Sequence, residues 1–201
     1  MNFDRTDRKI REMNQHLSSL TNSKNVDDFE GSFAAFISAA RSVTLALQVD
    51  AGITFDISGS IAKKGDIKGF ADWYVQKQQE MREDDMCKFF KNIRDVDLHT
   101  GDSQIQSSYT IKGGTILKAP EKGPLEINSR GTYEVYGQNT PAEKKIQKKI
   151  DGEIFQIRLY NSPNKHLGKN IDNNNPLKLC NLYKNYLEKL VFEAKEKFMN
   201  I

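Results

Sequence analysis

A chain of 201 residues is long enough for one hydrophobic core and a small appended unit. Its hydrophobic fraction of 37% and charged fraction of 28% exclude a disordered composition. Thirty basic and 27 acidic residues are interspersed and leave a net charge of +3, which excludes the continuous basic stripe of an autonomous duplex-binding protein. The composition permits a nucleic acid as partner without requiring one.

The N-terminal segment and the two cysteines favour an intracellular protein. The chain is charged from Asp4 onward with no apolar run behind it, so we expect no secretory signal and a cytoplasmic location. The longest apolar stretch, 33–49, contains Arg41 and several polar residues, which predicts a core helix and no membrane span. Cys87 and Cys180 stand on separate apolar faces, which predicts buried, reduced thiols. We expect no metal site and no cofactor.

Two amphipathic helices are predicted at the N-terminal end. The first occupies roughly the first twenty residues and ends at 22–25. The second follows Asp27 and Asp28, whose charges favour a helix N-terminus. Arg41 is a charged residue within this apolar segment. Its side chain either lines a site or extends along the edge of the apolar face toward water. The second stripe recurs every three or four residues: Phe29, Phe33, Phe36, Ile37, Ala40, Thr44, Leu47.

A connection at 50–69 precedes a third predicted helix, from Phe70 to Val96 with a polar interval at 82–85. A last helix begins at Asn175-Pro176, where asparagine caps and proline takes the first helical position.

Short runs broken by glycine and proline predict antiparallel strands between the last two helices, at 109–112, 115–117, 132–136 and 153–160. The basic run 144–149 is either a helical turn or a strand. The fold class is therefore mainly α with a β insertion (α+β). A helical core takes residues 1–102 with 174–201, and residues 103–173 form a strand-rich insertion with an Asn-rich loop.

The candidate catalytic residues are Arg94, Asp95 and His99, at the end of the third predicted helix. A guanidinium group holds phosphate oxygens with a planar fork, and an imidazole transfers protons near neutral pH. Gly101 predicts that the helix ends just beyond His99. We expect a loosened last turn that lets the two side chains converge. Arg11 and His16 have the same separation, but five residues on a continuous helix place them about 140° apart.

This spacing resembles the motif of the HEPN family, which has an Arg, a polar residue, and a His four to six residues beyond the Arg. The resemblance implies a four-helix core and a homodimer whose motifs meet in a cleft. It also implies metal-independent RNA cleavage of the toxin or defence type. Arg94 would then stabilise the phosphorane, His99 would serve as base or acid for attack by the ribose 2′-hydroxyl, and Asp95 would orient His99 or its partner.

The sequence leaves open whether the chain is an enzyme. Four basic residues, Lys144, Lys145, Lys148 and Lys149, together with nearby tyrosines form either a platform for single-stranded RNA or a solvated face. Arg41 is a further candidate for substrate binding. Arg94 and His99 also suit a helix C-terminus, where the dipole stabilises cations. The alternative function is therefore a non-catalytic HEPN-like binding or scaffold protein, with RNA or a protein as partner.

Overall fold

The computed structural model describes residues 2–56, 60–63, 65, 67–100, 105–111, 115–117, 132–133, 148–149, 154–159, 161–172 and 175–199. Most of the residues in these ranges are helical, and the strands are short, which confirms a mainly helical protein with small antiparallel sheets. The described helices are α1 (Asp4–Thr21), α2 (Val26–Asp50), α3 (Phe70–Glu83), α4 (Asp85–Thr100) and α5 (Pro176–Phe198).

The strands form small sheets. Antiparallel pairs are β1 (Thr54–Phe55) with β2 (Ile61–Lys63), β5 (Thr132–Tyr133) with β6 (Lys148–Lys149), and β8 (Lys165–His166) with β9 (Lys169–Asn170). A three-stranded sheet has the order β4 (Thr115–Leu117), β3 (Ile105–Ile111), β7 (Ile154–Leu159), and β3 and β4 are antiparallel.

The chain divides into two compact units. The helical unit comprises Met1–Ile105 and Arg158–Ile201, and the strand unit comprises Gln106–Ile157. The hairpin of β8 and β9 therefore belongs to the helical unit.

Helices α1 and α2 form an antiparallel pair, and α5 runs antiparallel to α1. Asp7 on α1 pairs with Lys195 on α5 at 2.6 Å, and Asn14 donates to Glu188 at 2.9 Å, so the two helices run in opposite directions. The apolar stripes of both predicted N-terminal helices are buried. Because α2 packs against α1, α4 and α5, it is the central helix of the unit.

Aromatic contacts join α2, α4 and α5 at one end of the helical unit and α3 and α5 at the other. Phe90 of α4 stacks on Tyr183 of α5 with ring centroids 4.4 Å apart, and its edge meets Phe36 of α2 at 6.4 Å. At the other end of α5, Phe198 meets the ring of Phe70 in α3 at 5.1 Å. Aromatic pairs of this kind contribute about 0.5–1.5 kcal/mol beyond their buried area, so these contacts fix how the four helices pack.

Helix α2, with 25 residues, also has the length and apolar composition of a membrane-spanning helix. Half of its most apolar stretch is buried inside the protein, and core helices of soluble proteins share this length and composition. Phe33, Phe36 and Leu47 are each at most 3% exposed. In this fold α2 therefore packs as a core helix.

The third predicted helix is two helices, so the prediction of one continuous helix from Phe70 to Val96 is wrong. The chain leaves the helical conformation at Asp84, which has φ −76° and ψ 126°. Helix α3 ends at Glu83, and α4 begins at Asp85. The polar interval that the sequence shows at 82–85 is therefore the break between them.

Asp50 ties the end of α2 to the start of α1. Its carboxylate accepts hydrogen bonds from the backbone N–H and the hydroxyl of Thr6, at 2.9 and 2.8 Å, and Arg5 lies 3.7 Å away. A negative charge is unfavourable at the C-terminus of α2, but here it meets the positive N-terminus of α1. The buried Thr6 gains both of its partners from this one side chain.

We expect Asp50→Ala to lower the free energy of unfolding by about 2–3 kcal/mol, because both hydrogen-bonding groups of Thr6 would stay buried without partners. Urea denaturation followed by circular dichroism measures this loss. Asp172→Ala, at an exposed position, is the matched control and should change the value by less than about 0.5 kcal/mol. Equal effects of the two substitutions would contradict the role of Asp50.

Candidate functional site

A pocket of about 390 Å³ opens between α2, α3, α4 and α5 in the helical unit. Its deeper lining is buried and mostly aromatic, with Tyr74, Phe90 and Tyr183 as the largest members. Its outer lining is basic: Arg41, Arg82, Lys88, Lys91, Arg94. We call this site the basic pocket. It brings together two of the predicted site residues, Arg41 and Arg94, which stand on different helices.

The cations of the basic pocket are only lightly neutralised. The described residues that line it include no Asp, Glu or His. Lys88 pairs with Asp85 at 3.1 Å, where both side chains are about half exposed, and Arg94 lies 3.4 Å from Asp95. Exposed pairs of this type contribute about 0–1 kcal/mol, so a ligand displaces them easily. Arg41, Arg82 and Lys91 form no ion pair with any residue that the structure describes.

The helix α4 supplies three of these cations from one side. Lys88, Lys91 and Arg94 follow one another at intervals of three residues, so each is a neighbour of the next on the helix surface. The other side of α4 is apolar and buried through Phe89 and Ile93. Burial of that side therefore turns the basic side toward the pocket.

Asp84 determines where α4 begins. Its carboxylate is 5% exposed and accepts from the backbone N–H of Cys87 at 2.9 Å, which is the N-cap bond of α4. It also accepts from the backbone N–H of Leu167 at 2.7 Å. The Nδ1 atom of His166 lies 3.1 Å from both carboxylate oxygens, and because a carboxylate only accepts, this nitrogen carries the hydrogen. One side chain thus joins α3, α4 and the β8–β9 hairpin.

These contacts change the acidity of Asp84. Burial alone would raise its pKa, but the hydrogen bonds from Leu167, Cys87 and His166 act in the other direction, and the net pKa lies below the ordinary value of 3.8. The carboxylate is therefore ionised at neutral pH.

The hairpin held by Asp84 has a strained turn. Leu167 and Gly168 both have positive φ, 49° and 74°, which is the pattern of a two-residue type I′ turn. Leucine rarely adopts this conformation, and the bond from its N–H to Asp84 helps to hold it there. The ring of His166 packs edge-on against Tyr186 at 5.6 Å. His166, a loop histidine in the sequence, is thus a structural partner of Asp84 and does not line the pocket.

The loosened last turn expected between Arg94 and His99 is not present in the described backbone. Helix α4 continues through Thr100, so the last turn does not loosen before position 99. On this continuous helix, positions 94 and 99 are about 140° apart around the axis, the same arrangement that separates Arg11 and His16. The side chain of His99 lies outside the described residues. Asp95 contacts Arg94, at 3.4 Å.

The other predicted binding residues lie in the strand unit. Lys148 and Lys149 form β6, which settles the helix-or-strand alternative for these two positions in favour of a strand. Lys148 stands opposite Tyr133 in the register. The side chains of these lysines, and all of Lys144 and Lys145, lie outside the described residues.

The thiol and phenol groups in and near the basic pocket are not activated as nucleophiles. Cys87 lines it, but burial raises the pKa of its thiol far above the usual range, and the same is true of Cys180. Both thiols are free and buried. Burial also raises the pKa of Tyr183, so its phenol stays neutral. Within the described ranges, no three His, Cys, Asp or Glu side chains group in a way that could hold a metal ion.

Replacing Asp84 by Asn should lower stability at pH 7, and this loss should shrink as the pH falls below about 4. Asn still caps a helix, so the substitution removes mainly the charged contacts. Because the folded pKa of Asp84 is depressed, its contribution is complete above about pH 4 and disappears as the pH falls through the folded pKa. Urea midpoints of both proteins across this pH range measure the effect. A difference between the two urea midpoints that does not depend on pH would contradict this prediction.

Comparison with known proteins assigns no family to the chain. No family model, no curated protein and no solved structure matches it. The resemblance of the Arg94–His99 segment to the HEPN motif is therefore neither supported nor refuted by relatives. The function of the chain is accordingly inferred from the basic pocket and its surroundings.

Proposed function

We propose that the helical unit binds RNA through a phosphate held in the basic pocket. One observation carries this proposal: five cationic side chains surround a single concavity whose described lining contains no carboxylate. Guanidinium groups such as Arg41 and Arg94 bind phosphate oxygens in pairs of hydrogen bonds, and lysines add charge. Of the two kinds of function that the sequence leaves open, this proposal is the non-catalytic binding function.

The form of the pocket favours a flexible RNA strand over a duplex. Its cations are gathered around about 390 Å³ rather than spread along a surface, and the net charge of the whole chain is only +3. A duplex presents regularly spaced phosphates along its axis and is bound by extended basic surfaces. A single strand bends its backbone and places one nucleotide into a concave site.

Arg94→Ala and Arg41→Ala should each weaken binding of a single-stranded RNA roughly 10- to 100-fold, as expected when a charge-assisted hydrogen bond worth about 1.5–3 kcal/mol is removed. The slope of log affinity against log salt concentration should also fall by about one for each cationic side chain that no longer meets a phosphate. Fluorescence anisotropy with a labelled RNA at several salt concentrations measures both quantities.

Arg11→Ala is the matched control for these variants. Arg11 is exposed on α1 and does not line the basic pocket. The substitution removes the same charge from the protein, so it should leave the affinity within about twofold of the original if the pocket is the binding site. An equal loss of affinity in all three variants would indicate non-specific attraction and contradict the proposal.

The second candidate function is metal-independent RNA cleavage by a homodimer. It is favoured by the position of Arg94, which lines the pocket, is 36% exposed and has only a long contact to Asp95. Since positions 94 and 99 of one helix do not face the same point, His99 would come from the second copy. Arg94 would stabilise the charge on the phosphorane, and His99 would move the proton.

Mixing two inactive variants tests this arrangement directly. Arg94→Ala and His99→Ala should each abolish cleavage of a mixed-sequence RNA in EDTA to products with 2′,3′-cyclic phosphate ends. Half of the dimers in an equal mixture would be hybrids with one intact site of two, so about a quarter of the activity should return. His16→Ala is the control and should cleave normally. No cleavage by the folded, dimeric wild-type protein would exclude the nuclease and leave the binding function.

A further inference from the structure

We propose that the basic pocket selects a nucleotide with a phosphomonoester, either at the end of an RNA chain or as a free mononucleotide, over an internal RNA segment. This inference rests on the proposed function and names the part of the ligand that the pocket takes. It depends on three properties of the site: its closed inner side, its excess of positive charge, and one hydroxyl group that has no partner among the described residues.

The inner side of the pocket is closed by packed rings. Tyr74 and Phe90 are each 1% exposed, and Tyr183 is 8% exposed. The volume of about 390 Å³ lies near the lower end of the range for small-molecule sites, roughly 300–1,000 Å³. Proteins that bind the interior of a strand use grooves that follow about 4–16 nucleotides. A concave site of this size instead accepts one terminal nucleotide.

The charge of the pocket matches a monoester better than a diester. A phosphomonoester carries about −1.5 to −2 charges at pH 7 and offers three strong acceptor oxygens. An internal phosphodiester carries a single charge. Arg41, Arg82 and Lys91 have no acidic partner among the described residues, and the partners of Lys88 and Arg94 are held loosely at the surface. Each added ligand charge therefore gains attraction to cations that have weak or no acidic partners among the described residues.

Tyr183 supplies a polar group among the aromatic side chains of the inner lining. More than nine-tenths of its surface is buried, and its hydroxyl makes no hydrogen bond with any described residue. By contrast, the hydroxyl of Tyr74 is satisfied, since it donates to the carbonyl of Thr44 at 3.2 Å and accepts from Gln48 at 2.9 Å. The hydroxyl of Tyr183, on a residue that lines the pocket, has no described partner and can take a ligand oxygen as its acceptor. The neutral phenol donates to such an oxygen.

The test compares RNAs of one sequence that differ only in their ends: a 5′-phosphate, a 3′-phosphate, two hydroxyl ends, or a closed circle. We expect one of the phosphorylated forms to bind at least tenfold more tightly than the hydroxyl-ended and circular forms. Adenosine monophosphate should compete with it, and adenosine should not.

Each outcome separates the inference from the function on which it rests. Equal binding of circular and phosphorylated RNA would overturn the inference and leave RNA binding intact. Binding of adenosine monophosphate without binding of any RNA would identify the free mononucleotide as the ligand and overturn the RNA function. Binding of neither would overturn both.

Tyr183→Phe removes only the hydroxyl and tests its role. We expect affinity for the phosphorylated ligand to fall about 5- to 20-fold, because one hydrogen bond to the ligand is removed, while stability stays nearly the same. Tyr186→Phe is the matched control: it lies on the same helix, its hydroxyl is likewise without a partner, and it does not line the pocket. Unchanged affinity in Tyr183→Phe would contradict the placement of the ligand in the pocket.

Discussion

The buried carboxylate of Asp84 joins three parts of the helical unit that are separate in the sequence. It interrupts the helical chain between Glu83 and Asp85, caps α4 through the N–H of Cys87, and holds the β8–β9 hairpin through Leu167. A buried charge is tolerated only when hydrogen bonds replace its hydration, and here all of its partners are provided by the fold. The start and the direction of α4, and with them the basic side of that helix, depend on this arrangement.

The position of α4 in turn creates an excess of positive charge with no acidic group among the described lining residues. Lys88, Lys91 and Arg94 come from α4, Arg41 comes from α2, and Arg82 comes from the end of α3. Placing these cations around one concavity is unfavourable unless water or an anion screens them. A phosphate-bearing ligand would remove this repulsion, so the same feature supports both the proposed binding of RNA and the proposed preference for a phosphomonoester.

The sequence predicts structural features that depend on neighbouring residues. It does not predict features that depend on contacts between residues far apart in the chain. The apolar stripes of the helices, which include Leu17 and Leu20 in α1, are patterns of nearby residues, and so is the N-cap at Asn175. Helices α1, α2 and α5 were therefore predictable from the sequence. The break at Asp84 was visible only as a polar interval, because its partner Leu167 is 83 residues away. Arg41 and Arg94 line the same pocket only because α2 packs against α4, and the sequence does not show this packing. The prediction of a loosened turn before His99 was wrong because a glycine after a helix does not specify where the last turn ends.

A nuclear magnetic resonance titration of the ¹⁵N-labelled protein with adenosine monophosphate tests the central claim most directly, since it locates the ligand without any substitution. We expect the amide shifts to concentrate at Arg41, Lys88, Lys91 and Arg94, while α1 stays unchanged around Arg11. Shifts centred on strand β6, or shifts spread evenly over the charged surface, would contradict the assignment of the basic pocket as the binding site.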